Sequence, residues 1–202
     1  MHYIFKGTGN ASAKTLLLLH GTGGNEHDLV PLAKNFGDDV NILSLRGNVH
    51  ENGMPRFFKR LGMGIFDEKD LEFRTHEMVH FLNEIAEKEG FDSSKIIALG
   101  YSNGANIAGS TLILHPDFLI GAILYRPMQP FRNIQNGKSK KNTPLFFSSG
   151  KNDPTINVED TNEFLKILND NNFDVSFYEI NTGHNLTQED VDLSVEWFKT
   201  NF

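Results

Sequence analysis

The run Ile96-Ile97-Ala98-Leu99-Gly100-Tyr101-Ser102-Asn103-Gly104-Ala105 constrains the fold more than any other part of this chain. An apolar, strand-like stretch ends in Gly-x-Ser-x-Gly, and a helical pattern follows without a spacer. A strand that turns straight into a helix at such a corner forces the serine into a strained backbone conformation and exposes its hydroxyl at the tip. Gly100 and Gly104 suit the corner because side chains there would collide across it. The backbone N–H of Asn103 and the start of the helix would then face negative charge forming beside Ser102. Three matching residues in a span of five are a weak signal alone. Their weight comes from the surroundings, which nominate Ser102 as a nucleophile.

Those surroundings alternate short β-type runs with longer stretches of helical period, the rhythm of βαβ units and of a parallel sheet covered on both faces. The expected strands are Thr15–Leu19, Val40–Leu45, Lys95–Leu99, Ile120–Tyr125, Leu145–Ser149 and Val175–Ile180, with an edge strand near Tyr3–Lys6. Leu71, Met78, Leu82 and Ile85 form one stripe of a helix from about Lys69 to Lys88, and Thr161, Leu165 and Leu168 do the same later. Thr187 can cap a last helix, with Asp190 three residues on and Val191, Val195 and Phe198 on its buried face. No repeat, low-complexity tract or linker interrupts the pattern, so residues 1–202 are expected to form one domain.

A nucleophilic serine needs a base to take its proton, and an acid to orient that base and stabilise its cation. In a sheet of this kind the chain order is serine, acid, histidine. His184 is the single histidine beyond Asp153, and it follows a predicted strand in Asn181-Thr182-Gly183-His184-Asn185. Asp153 leaves the strand Leu145–Ser149 through Gly150-Lys151-Asn152, at the carboxyl end where open α/β sheets build their sites, and Pro154 stiffens the exit. Asp117, Asp160, Asp170 and Asp174 are rivals by type, but they lie on helices, at helix ends or ahead of a strand, and read as surface charge. An oxyanion needs two backbone donors. Asn103 offers one, and Thr22 in the loop His20-Gly21-Thr22-Gly23-Gly24 is placed to offer the second. His20 reads as a buried brace of that loop.

Composition narrows the partners. The net charge of −7 disfavours nucleic acid, and no apolar run approaches the ~20 residues of a membrane span, so stable membrane insertion is not expected. The chain has no cysteine, which excludes disulfides and zinc-thiolate sites. With no signal-peptide layout in Met1-His2-Tyr3-Ile4-Phe5-Lys6, a cytoplasmic protein is expected. No histidine spacing fits a metal site; His76 and His80 stand i,i+4 without a completing carboxylate. The chemistry needs no metal and no cofactor. The expected partner is a small-molecule ester; a homodimer is compatible with the sequence but does not follow from it. The segment Asn48–Asp67 mixes Phe57, Phe58 and Met63 with Arg56, Lys59 and Arg60. It suits either a loop forming an apolar substrate pocket, with Phe57, Phe58 and Met63 as binding residues, or an amphipathic helix packed on the core.

The motifs His20-Gly21-Thr22-Gly23-Gly24, Gly100-Tyr101-Ser102-Asn103-Gly104-Ala105-Asn106, Gly150 with Asp153-Pro154, and Gly183-His184 together resemble the phospholipase/carboxylesterase branch of the α/β-hydrolases. That group includes acyl-protein thioesterases, and the nearest resemblance is to small bacterial carboxylesterases linked to hydroquinone resistance. The resemblance implies an α/β-hydrolase fold, a mostly parallel central sheet with helices on both faces. It implies Ser102, Asp153 and His184 as the triad and the N–H groups of Thr22 and Asn103 as the oxyanion hole. Electrophilic aromatic substrates are implied by the resemblance alone. Between Tyr125 and Pro144 there is no room for the cap domain of larger relatives. Thioesterase relatives usually carry His-Gly-Leu-Gly-Asp and Gly-Phe-Ser-Gln-Gly-Gly, and a Val-Pro pair where this chain has Thr155-Ile156-Asn157. Their lipid specificity therefore does not transfer. The expected activity is hydrolysis of carboxylic esters through an acyl-enzyme. Thioester or lysophospholipid hydrolysis by the same triad is the alternative, and a non-catalytic binding protein on this scaffold is a third reading.

Overall fold

The computed structural model describes residues 1–62, 64–132 and 137–202. In chain order the elements are β1 His2–Lys6, β2 Thr15–Leu19, α1 Val30–Ala33, β3 Asn41–Arg46, β4 Val49–Glu51, β5 Met54–Arg56, β6 Arg60–Gly62, β7 Ile65–Phe66, α2 Glu68–Glu89, β8 Ile96–Tyr101, α3 Asn103–Leu114, β9 Gly121–Tyr125, β10 Pro144–Gly150, α4 Val158–Asp170, β11 Asp174–Ile180 and α5 Gln188–Asn201. One sheet runs β1-β3-β2-β8-β9-β10-β11. Its pairs are parallel except β1 with β3, so the expected edge strand near Tyr3–Lys6 is antiparallel.

The residues of β2 show why the sheet is central. Every position of Thr-Leu-Leu-Leu-Leu is buried, and a strand can be apolar throughout only where both faces are covered. Alternation sends Leu17 and Leu19 into one core with Leu71, Met78 and Leu82 of α2, Ile107 and Leu112 of α3, and Phe164 of α4. Leu16 and Leu18 enter the opposite core with Ala33 of α1 and Trp197 and Phe198 of α5. Helices therefore cover both faces. β9 ends at Tyr125 and β10 begins at Pro144, a connection too short to hold a cap domain. Among the described residues no helix is long and apolar enough to cross a membrane.

Local signals set the helix ends. The Asp67 side chain accepts from Asp70 N–H at the start of α2, and Gly90 ends it in the left-handed conformation at φ 76°. Thr187 and Asp190 form a reciprocal capping box on α5. The buried face of α5 differs from the stripe expected. Asp190, Ser194, Trp197 and Phe198 face inward while Val191 and Val195 are half-buried. The helix is turned because Asp190 is drawn into an ion pair beneath the sheet end.

Asn48–Asp67 borders the cleft beside Ser102, as one reading expected, but as neither an irregular loop nor a helix. The segment forms two antiparallel hairpins, β4–β5 and β6–β7. Asn52 and Gly53 join β4 to β5 with φ of 51° and 80°. Two successive positive φ values define the tight turn that matches strand twist, and Asn-Gly is its preferred sequence.

Candidate active site

The site is assembled at the carboxyl ends of the parallel strands, beginning with the corner between β8 and α3. Ser102 sits at φ 52° and ψ −112°, a conformation that costs an L-residue on the order of 1–3 kcal/mol. Its N–H donates to Tyr125 O at 2.9 Å, which ties the corner to β9. The glycines are sterically required. A Cβ at Gly100 would strike the backbone of Gly104, and one at Gly104 would strike the carbonyl of Leu19.

The structure brings Ser102, His184 and Asp153 into one line. Ser102 Oγ lies 2.9 Å from His184 Nε2, and His184 Nδ1 lies 2.6 Å from Asp153 Oδ2. With Asp153 ionised, Nδ1 carries the ring proton and Nε2 is free to accept from the serine hydroxyl. Asp153 is reached from β10 by a turn closed by its own N–H on Gly150 O, at 3.1 Å. A Cβ at Gly150 would collide with Gly183 O, so this glycine lets the acid turn and the histidine loop touch. Thr155 supplies both its N–H and its hydroxyl to Asp153 Oδ1, at 2.9 and 2.6 Å. Burial works against ionisation of Asp153, but the Thr155 hydroxyl, His184 and the Thr155 N–H outweigh it and hold the carboxyl below its usual range.

Thr22 and Asn103 flank the same space. Neither N–H has a hydrogen-bond partner among the described residues, whereas the neighbouring Gly23 N–H is taken by Pro55 O and the Gly24 N–H by Gly21 O. Asn103 opens α3, where first-turn donors have no intrahelical acceptor. Its side-chain Oδ1 accepts from Phe57 N at 2.8 Å. His20 is 1% exposed and braces the loop as expected. Nε2 accepts from Gly47 N at 3.0 Å and Nδ1 donates to Gly21 O at 2.6 Å. Burial pushes its pKa down and keeps the ring neutral.

The binding residues expected in Asn48–Asp67 need correction. Phe57 and Phe58 are 1% and 0% exposed and belong to the core. Phe57 packs on the His20 ring and Phe58 edge-on against Phe66. Both hairpins turn their aromatic junction inward, so these rings support the cleft instead of lining it. Met63 lies outside the described residues. The cleft beside Ser102 encloses about 190 Å3; Arg56, Arg60, Phe66 and Met128 form its walls with Thr22, Asn103, Asn106, Thr155 and His184.

One element of the site was missed in the sequence. Arg126 follows β9, is fully buried, and adopts φ 55°. Its Nη1 and Nη2 bind Asp190 Oδ1 and Oδ2 at 2.7 and 2.6 Å. Nη2 also donates to Asn185 O at 3.1 Å, and Nε points to Gly183 O at 3.4 Å. Those two carbonyls flank His184. Asp190 resists ionisation through burial, but Arg126, Ser148 and the Thr187 N–H together lower its pKa. The available signal was a lone arginine directly after a wholly apolar strand, together with an aspartate assigned only to capping.

Elsewhere, His76 Nδ1 meets His115 Nε2 at 2.8 Å, His80 pairs with Glu84, and no group of metal-ligating side chains occurs among the described residues.

A family model described as Phospholipase/Carboxylesterase matches residues 4–201. MhqD of Bacillus subtilis (strain 168), which bears the name of a hydrolase, is 48% identical over 198 residues, covering 98% of this chain and 97% of its own. The crystal structure of a Bacillus cereus carboxylesterase superposes with a TM-score of 0.95 at 46% identity, over 99% of this chain and 94% of the other. Acyl-protein thioesterase 1 of Candida albicans is 27% identical over 216 residues, covering 95% of this chain and 93% of its own.

Proposed function

Because the chain belongs to the phospholipase/carboxylesterase family and is a hydrolase of the carboxylesterase kind, we propose that Ser102, His184 and Asp153 form a triad that cleaves small carboxylic esters through an acyl-enzyme. The observation that carries this reading is the line from Ser102 Oγ to His184 and on to Asp153, at 2.9 and 2.6 Å. Ser102 Oγ attacks the acyl carbon as its proton passes to His184 Nε2. Asp153 holds the ring orientation and stabilises the imidazolium that results. The N–H groups of Thr22 and Asn103 receive the oxyanion. His184 then protonates the leaving alcohol, and a water activated by the same ring releases the acid and restores Ser102. Neither a metal nor an organic cofactor enters any step.

Residues 1–202 act as one catalytic unit in this reading, since every participant hangs from the same sheet. The cysteine-free composition fits a cytoplasmic setting, and the net charge of −7 speaks against a nucleic-acid partner. The test is labelling with a fluorophosphonate, peptide mapping, and ester turnover in parallel. A single adduct on Ser102, lost together with turnover in a folded Ser102→Ala variant, is the expected result. Full turnover in that variant would remove the assignment.

Thioester hydrolysis is the second reading, favoured by the similarity to acyl-protein thioesterase 1. Matched oxygen esters and thioesters of rising chain length separate the two through kcat/KM.

A further inference from the structure

Among the described residues the Asp153 carboxylate has three hydrogen-bond donors, and two of them belong to Thr155. The Thr155 N–H and hydroxyl both go to Oδ1, at 2.9 and 2.6 Å, which leaves Oδ2 to His184 Nδ1 at 2.6 Å. Any twist about the Cβ–Cγ bond breaks contacts at both oxygens, so the plane of the carboxylate is fixed. A local turn in which an aspartate accepts from the N–H two residues on accounts for the backbone contact. It does not account for the hydroxyl.

That hydroxyl reaches further than the acid. Thr155 Oγ1 lies 3.1 Å from His184 Nδ1. Its one proton is given to Asp153, so it meets the Nδ1–H as an acceptor. The ring proton is thus shared between Asp153 Oδ2 and Thr155 Oγ1, and acid, base and hydroxyl close a triangle. The Asp153 side chain is fully buried, so no solvent stands ready to replace a donor that it loses. Thr155 lines the cleft and Asp153 does not, so the same side chain screens the acid from the occupant of the cleft. Branching at Cβ restricts χ1 and holds the hydroxyl in place before any substrate arrives.

We propose that Thr155 is a positioning residue, whose hydroxyl fixes the Asp153 carboxylate and the His184 ring together and so aligns Nε2 with Ser102. This inference rests on the triad reading above. It goes beyond that reading because serine, histidine and aspartate alone leave the carboxylate free to turn.

The test compares Thr155→Val, which keeps the branched shape and removes the hydroxyl, with Thr155→Ser, which keeps the hydroxyl and removes the methyl. Turnover of 4-nitrophenyl acetate and fluorophosphonate labelling are measured beside the wild type, and urea midpoints report folding. Thr155→Val should lower kcat about tenfold or more, the range of one hydrogen bond to a charged group. KM should stay within about twofold, because valine preserves the cleft wall and the lost contact is not made to substrate. Labelling of Ser102 should slow in step with kcat. Thr155→Ser should recover most of kcat, although it loses more packing than the valine variant. Should Thr155→Val fail to fold, Thr155→Ala takes its place, and serine against alanine isolates the hydroxyl in the same way. Wild-type kcat without the hydroxyl, or an equal loss in Thr155→Ser, refutes the positioning role and leaves the hydrolase standing. If the wild-type protein turns over no ester and forms no adduct on Ser102, the hydrolase reading fails and takes this inference with it.

Discussion

At the scale of single residues, Arg126 shows how a buried charge can hold the loop that carries His184. Its guanidinium joins Asp190 to the carbonyls on either side of His184. Arg126→Met would strand Asp190 in the interior, at a cost of about 3–5 kcal/mol. It would also release the histidine loop, and a shift of about 1 Å there is expected to lower kcat about 100-fold. The double variant Arg126→Met/Asp190→Leu separates the effects. Urea denaturation should show most of the stability regained, while kcat stays low and KM changes little. Recovery of kcat in the double variant would mean that Arg126 only stabilises the fold. Ser102, Asp153 and His184, the proposed triad, could be nominated from the sequence because such chemistry demands fixed residue types at strand ends. Arg126 and Asp190 were not, because an ion pair between residues far apart in sequence leaves no periodic trace. Asp190 had, moreover, a sufficient local role in capping α5.

At the scale of elements, the corner at Ser102 and the helices around it followed directly from apolar period and capping residues. The hairpins of Asn48–Asp67 did not. Their strands are only two or three residues long, too short for alternation to show, and Asn52-Gly53 was the sole strong marker. Glycines in these elements do two different kinds of work, and alanine substitution should distinguish them. At Gly53, φ is 80° and a Cβ would meet nothing within 4 Å. Gly53→Ala should therefore cost about 1 kcal/mol, for conformation alone, and leave fluorophosphonate labelling of Ser102 unchanged. At Gly150, φ is not positive but a Cβ would press on Gly183 O. Gly150→Ala should separate Asp153 from His184 and slow labelling at least tenfold. Equal labelling rates in the two variants would contradict this account.

At the scale of the whole molecule, fold stability should depend on pH in two stages. His20 has a folded pKa below its ordinary value of 6.5, so the unfolded chain takes up a proton first. Its stabilising contribution is complete above about pH 6.5 and declines as pH falls towards the folded value. Asp153 and Asp190 are likewise depressed below an ordinary 3.8. Their contribution is complete above about pH 4 and is lost as pH falls through their lowered values. Urea midpoints measured from pH 8 to pH 3 should show a shallow decline and then a steep one, with the first reduced in His20→Gln. The strands of the main sheet and the longer helices were readable from hydrophobic pattern, whereas the strand order β1-β3-β2-β8-β9-β10-β11 is fixed only by how the crossovers pack. The two hairpins beside the cleft are attached to this frame very differently. The first is bonded to the residues around Ser102, through Pro55 O to Gly23, Arg56 to Thr22 and Phe57 N to Asn103. The second is held through Glu51 and the start of α2, by way of Arg60 and Lys59. A lineage descending from such a chain is freer to exchange the second hairpin than the first, whose loss would unseat the loop and helix start beside Ser102 as well.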